Sequence, residues 1–367
     1  MNISYIYYTN WHPSRSHGKQ IIHTINGLER LQNTVTLYTP ADVHEFLQQN
    51  GLETRANINS IDVINWNKFA SRLAYYALST FFSINKDIIF TRDIWYLKFL
   101  RLIPTSLYPP VLYEAHQCYS MQNYITPEDE YQRIQQADRV ITQSYGVERD
   151  LSALGIDVAA VIPNAAPEYL VPETSKSSLR TQCGFSPDSI VVIYSGSFAH
   201  RKNDFKLLID AMSALESSDT PFELAFVGGD EQEIDKLRSY CGRHLTNTRY
   251  HFFGRVPHRA VFRYLKASDI GIVPLKSDNL EAVKYTSPIK LFEYLACNLQ
   301  VVASDVTSIE KLQSLSDSIH TYSAGSVESL SDTISDVAVI NPAHEYDQYS
   351  YKTRAEKIKP HLSTLLE

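Results

Sequence analysis

Short β-branched apolar runs alternate with longer amphipathic segments along the whole chain. The strand-like runs are residues 3–8 (ISYIYY), 34–38 (TVTLY), 87–91 (DIIFT), 110–115 (PVLYEA), 139–143 (RVITQ) and 159–163 (AAVIP). The series resumes at 189–197 (SIVVIYSGS), 222–229 (FELAFVGG), 249–254 (RYHFFG), 269–275 (DIGIVPL) and 299–305 (LQVVASD). Segments such as 206–215 (KLLIDAMSAL) and 260–269 (AVFRYLKASD) space their apolar positions as one face of a helix does. Continuous apolar strands separated by helices predict parallel sheets covered on both faces, an α/β fold.

The rhythm breaks near residues 165–185, where prolines and a Ser/Thr cluster (NAAPEYLVPETSKSS) interrupt it, and a strand-loop-helix unit begins afresh on each side. A chain of 367 residues suits two cores, since one domain takes about 100–200 residues. The expected domains are residues 1–168 and 169–345, with a helical tail at 346–367 that returns to the first.

Composition narrows the function. Hydrophobic residues make up 44% and charged residues 20%, so a packed core is affordable, and the net charge of −7 argues against a nucleic-acid binder. Cys118, Cys183, Cys241 and Cys297 are far apart, forming no disulfide or zinc framework, which points to a reducing cytoplasm. The N-terminus does not read as a signal peptide, and the apolar stretch Leu73 to Ile84 is too short to cross a bilayer. Residues 92–104 interleave Trp95, Tyr96 and Phe99 with Lys98 and Arg101. That pattern suits a weak peripheral contact at the inner membrane face, but a partly buried helix with basic ends is the favoured reading. Asp93, Asp204 and Asp230 have no metal-ligand spacing, so no required metal is expected.

The most informative segment is YTSPIKLFEYLACNLQVVASD, residues 285–305. It predicts a helix with Ser287 as N-cap, Pro288 in the first turn and an apolar stripe of Ile289, Leu291, Phe292 and Leu295. The free N–H groups and positive dipole end of such a helix suit a phosphate. Lys290 adds a full charge where the dipole alone disfavours a cation, a local conflict of the kind functional sites show. Glu293, one turn on, could accept hydrogen bonds from a ribose diol. An ordinary helix with a solvated Lys/Glu pair fits these residues equally well. Arg201 and Lys202 follow SGS (195–197) and suit a diphosphate leaving group, although a solvated basic pair at a helix start is the favoured reading of the two residues alone. Glu114 and His116 (YEAH) end a strand, where α/β proteins bind ligands and where an imidazole can carry a proton near pH 7.

The segment SPIKLFEYLACNLQVVASD resembles the nucleotide-sugar motif of retaining glycosyltransferases of family 4, whose fold is called GT-B. The resemblance extends to SGSFAHRKNDFKLLIDA, AFVGGD, RYHFFGRVP and ASDIGIVPL, and more loosely to the N-terminal half. It implies two facing, doubly wound Rossmann-like domains, the first for the acceptor and the second for the nucleotide sugar, with a C-terminal helix crossing back. It further implies that Ser197, Ser287, Pro288, Ile289 and Lys290 hold the donor diphosphate with Arg201 and Lys202, that Glu293 binds the ribose, and that Arg255 and Val256 enclose the base. His116 matches the strand-end histidine near the donor sugar. Gly18, just before a helix in TNWHPSRSHGKQ, resembles a reduced glycine-rich loop that meets diphosphate and acceptor, with Ser16, His17 and Lys19 beside it. Asn164, followed by Ala165, matches a strand-end Asn-Gly and reads as a hinge-loop residue. Tyr285 stands where the family has the first of two glutamates, and Glu281 would substitute if the loop is rearranged. The implied reaction moves a hexose from a nucleoside diphosphate (UDP, GDP or ADP are not distinguished) to an acceptor hydroxyl, with retention and without a metal. The alternatives are a GT-B nucleotide-sugar epimerase, a phosphorylase and a non-catalytic sugar-nucleotide-binding subunit.

Overall fold

The first seven strands are β1 (Asn2–Ile6), β2 (Thr34–Thr39), β3 (Asn57–Ser60), β4 (Ile88–Thr91), β5 (Val111–Ala115), β6 (Arg139–Thr142) and β7 (Ala160–Val161). In this computed structural model, which describes residues 1–12, 16–62, 68–198, 202–340 and 346–367, they form one parallel sheet in the order β3-β2-β1-β4-β5-β6-β7. The second sheet, also parallel, contains β8 (Ile190–Ser195), β9 (Phe222–Val227), β10 (Arg249–Phe252), β11 (Ile270–Val273), β12 (Gln300–Ser304) and β13 (Ile319–Tyr322), in the order β10-β9-β8-β11-β12-β13. The α/β reading holds. The chain divides into two compact units, Met1–Pro163 with Tyr351–Glu367, and Asn164–Ser350.

Each apolar run contains a strand, because β4, β5, β11 and β12 are buried along their length and only apolar side chains suit both faces. Two strands escape that pattern. β3 (NINS) and β13 (IHTY) each lie at one edge of their sheets, and partly exposed, polar positions give them no apolar signature. The first strand also ends sooner than its apolar run, at Ile6, and Tyr7 and Tyr8 belong to the loop beyond it.

In the first unit the helix Tyr351–Ser363 packs on the helix Ser16–Arg30. Their backbones approach so closely that a methyl group at Gly27 would lie 2.4 Å from the Tyr351 carbonyl oxygen. Residues 92–104 centre on the helix Ile94–Leu100, capped by the Asp93 carboxylate, which accepts from Trp95 N–H at 2.9 Å. Arg133 lies 4.2 Å over the Trp95 ring, Tyr96 is buried and Arg101 pairs with Asp129 at 3.5 Å. Among the described residues no helix is long and apolar enough to cross a membrane.

In the second unit the order reverses between β8 and β11: the chain runs from β8 outward to β9 and β10, and from β11 outward to β12 and β13. Loops leaving two such neighbours turn to opposite sides of the sheet and open a crevice at their C-terminal ends. The loop after β8 carries Ser197 and Lys202, and the loop after β11 leads to Ser287 and the helix Ile289–Ala296. Topology thus brings together residues about ninety positions apart.

Candidate active site

The first residues of the loop after β8 are held by aromatic packing. The Phe198 ring lies 5.9 Å from Tyr194, 5.5 Å from Phe205 and 5.6 Å from Phe226. The loops after β8, β9 and β10 are laced through backbone: Gly196 N–H donates to Val227 C=O at 2.9 Å and Gly228 N–H to Gly254 C=O at 2.8 Å. At Gly228, with φ +119°, a Cβ would sit 2.0 Å from the Gly196 carbonyl oxygen, so the crossing requires glycine. Tyr194 donates its hydroxyl to the Ser197 carbonyl at 3.1 Å, which leaves Ser197 fixed by its backbone.

The helix that follows β11 begins at Ile289 with Pro288 as N-cap, and no side chain caps it. This corrects the expectation that Ser287 would cap it. Ser287, 6% exposed, is instead tied to Asn164, whose backbone N–H donates to Ser287 Oγ at 3.1 Å and whose Nδ2 donates to the Ser287 carbonyl at 2.6 Å. Tyr294 locks the helix onto the switch point: Ser195 N–H donates to its hydroxyl at 3.0 Å, and that hydroxyl donates to the Ile272 carbonyl at 3.4 Å.

Lys290, in the first turn, lays its ammonium 3.7 Å from the centre of the Tyr194 ring and against Gly196, where an added Cβ would be 3.0 Å from Nζ. Desolvation lowers this lysine to about 7, with Glu293 pulling it up and Lys202 pushing it further down. Lys202 pairs with the half-exposed Glu281 of the single π turn Glu281–Tyr285, while Tyr285 is buried at 1% exposure. Two cations and an uncapped helix start therefore share one end of the sheet. Arg201 lies outside the described residues.

Glu293 is buried, and its Oε1 lies 2.6 Å from Nε2 of His258, which is buried too. His258 opens the helix His258–Lys266, separated by Pro257 from the exposed Arg255 and half-buried Val256. Sequence reasoning missed His258, because its partner lies 35 residues away and no local pattern marks the pairing.

In the first unit, Arg92 Nη2 donates to His116 Nδ1 at 2.7 Å and to Gln20 Oε1 at 3.0 Å. A guanidinium only donates, so Nδ1 is unprotonated and Nε2–H is left to donate to Glu114 Oε1 at 2.9 Å. Glu114 Oε1 also accepts from Arg354 Nη2 at 2.6 Å. Burial and Arg92 bring His116 down to about 4 against the pull of Glu114, so the ring is neutral and both nitrogens are engaged. Burial alone would raise the Glu114 carboxyl, but Arg354, His116 and Arg92 hold it well below the usual carboxylate range. Arg92 and Arg354 were not among the candidates read from the sequence.

Gly18 is not a loop residue ahead of a helix. It is the third residue of Ser16–Arg30, where the Phe46 ring would meet a Cβ at 2.8 Å, so its small size is used for packing. His17 Nε2 lies 2.8 Å from Thr9 Oγ1, Ser16 is exposed and Lys19 half-buried. Among the described residues no group of three or more His, Cys, Asp or Glu side chains could hold a metal ion.

Residues 189–338, the stretch that carries Lys202, His258, Lys290 and Glu293, match the family described as Glycosyl transferases group 1. No curated protein matches the sequence. Among solved structures the chain is similar to a glycosyltransferase from Rickettsia africae ESF-5, with TM-score 0.73 and 14% identity over 100% of this chain and 98% of that one. It is similar to Anabaena HepE in complex with UDP and glucose, with TM-score 0.73 and 16% identity over 99% and 100% of the two chains. A putative UDP-N-acetylglucosamine 2-epimerase from Listeria monocytogenes shares the architecture at TM-score 0.64 and 13% identity, over 99% and 96%. At such identities the likenesses establish the fold, which is GT-B. With a group 1 domain over residues 189–338 and that fold over both units, the chain is a glycosyltransferase.

Proposed function

We propose that this enzyme transfers a hexose from a nucleoside-diphosphate sugar to an acceptor hydroxyl with retention of anomeric configuration, as family 4 enzymes of polysaccharide or glycoconjugate synthesis do. The observation that carries the proposal is the convergence of Lys202, Lys290 and the uncapped start of Ile289–Ala296 at the β8/β11 switch point. Anionic ligands are stabilised by free N–H groups at a helix start, and cations held in a low-dielectric setting stabilise them further.

In this reading the diphosphate rests against the start of the helix, beside Ser287 and Pro288, where Ile289 and Lys290 carry the backbone N–H groups that a proline lacks. Lys202 and Arg201 stabilise the charge that develops as the bond from the anomeric carbon to the diphosphate oxygen breaks. That departing oxygen accepts the proton of the acceptor hydroxyl, which attacks on the same face. Protein cations supply the positive charge, so the step is written without a metal. Glu293 binds the ribose, and Arg255 and Val256 flank the base. The first unit serves the acceptor, and the neutral His116 orients the sugar. UDP-sugars are the first donors to test, because the Anabaena protein of like fold was solved with UDP and glucose.

A panel of UDP-, GDP- and ADP-sugars read by thermal shift identifies the donor, and NMR of the product reads the anomeric configuration. An inverted product would overturn the retaining mechanism, and no shift with any donor would overturn donor binding. The epimerase reading draws on the Listeria likeness. It requires conversion of the free nucleotide sugar with no acceptor present.

A further inference from the structure

We infer that His258 is a positioning residue for nucleoside recognition: it holds one oxygen of the Glu293 carboxylate and joins the base-flanking loop to the ribose-binding helix. The inference rests on the reading of Glu293 as the ribose ligand.

His258 is 4% exposed and Glu293 6% exposed, and the 2.6 Å contact runs between Nε2 and Oε1. A carboxylate only accepts, so Nε2–H donates. The imidazole is held from the other side, edge-on to Phe262, at 5.6 Å between ring centres and an interplanar angle of 65°. Phe262 is fully buried, which leaves the imidazole little freedom to rotate.

The contact answers an electrostatic problem within Ile289–Ala296. Glu293 lies three residues after Lys290, on the same side of the helix, and the two attract each other. Left alone, the carboxylate would lean to Lys290 and neutralise the cation assigned to the diphosphate. The bond from His258 gives Oε1 a partner other than Lys290, which favours a carboxylate that serves the ribose over one taken up by the lysine. His258 also immediately follows Arg255, Val256 and Pro257, and base and ribose contacts thereby share one strut.

The test compares UDP, GDP and ADP with their 2′-deoxy forms by isothermal calorimetry. Wild type should prefer the ribose form of its best nucleotide by about tenfold or more. His258→Ala should lose that affinity while the 2′-deoxy nucleotide binds as before, so the ratio falls toward one. KM for the sugar donor should rise with little change in kcat. His258→Gln, which keeps an N–H donor, should restore most of the ratio, and it carries the test if His258→Ala does not fold. A wild type that prefers ribose together with variants that keep the preference would overturn the role of His258 and leave that of Glu293 standing. A wild type indifferent to the 2′-hydroxyl would remove Glu293 from the ribose, and this inference with it.

Discussion

Lys290 is the residue at which local rule and position disagree most. A cation at a helix start is disfavoured by the dipole, and burial against Tyr194 pulls the lysine down to about 7. A bound diphosphate favours the charged form, so donor binding should take up a proton. Affinity for a UDP-sugar, whose phosphates do not titrate near neutrality, should weaken as pH rises above 7, by up to about tenfold per unit. Calorimetry at pH 6.5 and 8.5 in buffers of different ionisation enthalpy reads both effects, and a pH-independent affinity would exclude Lys290 from the phosphate. At the same scale, Lys202→Ala should lower kcat by about a hundredfold if it stabilises the leaving group, and normal turnover would dismiss that role. Glu293→Ala should weaken the best nucleotide by about 1–3 kcal/mol.

At the scale of elements, the helices and strands that hold these residues were mostly legible, and their contacts were not. Apolar runs mark buried strands, yet NINS and IHTY at the sheet edges carry no such mark. The helix after β11 was readable from its stripe, but its cap was not: Ser287 has a favourable cap composition, and the fold spends it on Asn164 instead. Gly18 and Gly27 show the same limit, since each lies within a helix at a point where another element comes too close for a side chain. Gly27→Ala should push Tyr351–Ser363 off Ser16–Arg30 and cost about 1–3 kcal/mol as overpacking. Hydrogen exchange should show faster exchange in residues 351–363, and unchanged protection there would refute the close approach.

For the molecule as a whole, the response to acid can be read in the buried cluster of the first unit. In the first unit His116 is held at about 4, against an ordinary value of 6.5. The unfolded chain therefore binds more protons between these values, and stability must fall as pH drops from about 6.5 to about 4, by up to about 1.4 kcal/mol per unit. Glu114 extends the loss to lower pH, because its folded value is depressed and its stabilisation is lost in acid. The sequence of the second unit, Asn164–Ser350, contains no tryptophan, so tryptophan fluorescence follows the first unit. Urea unfolding followed this way should show the slope in wild type and a flatter profile in His116→Asn. Arg354→Ala should cost this unit about 3–5 kcal/mol by leaving Glu114 buried beside a lost partner. A midpoint within error of wild type would show the ion pair to be dispensable.

Much of this protein is written locally. The α/β class and eleven of the thirteen described strands follow from apolar periodicity, which short-range physics sets, whereas Lys202, Lys290 and Glu293 were singled out only with the help of a family resemblance. What tertiary structure alone decided is which distant groups meet: His258 with Glu293, Arg354 and Arg92 with Glu114 and His116, Asn164 with Ser287. These are single polar contacts across 24 to 240 residues, and they leave no periodic trace because one buried hydrogen bond constrains only its own two positions. The order in which parallel strands stack, and hence where the sheet reverses and a crevice opens, depends on long-range pairing that no window of sequence contains.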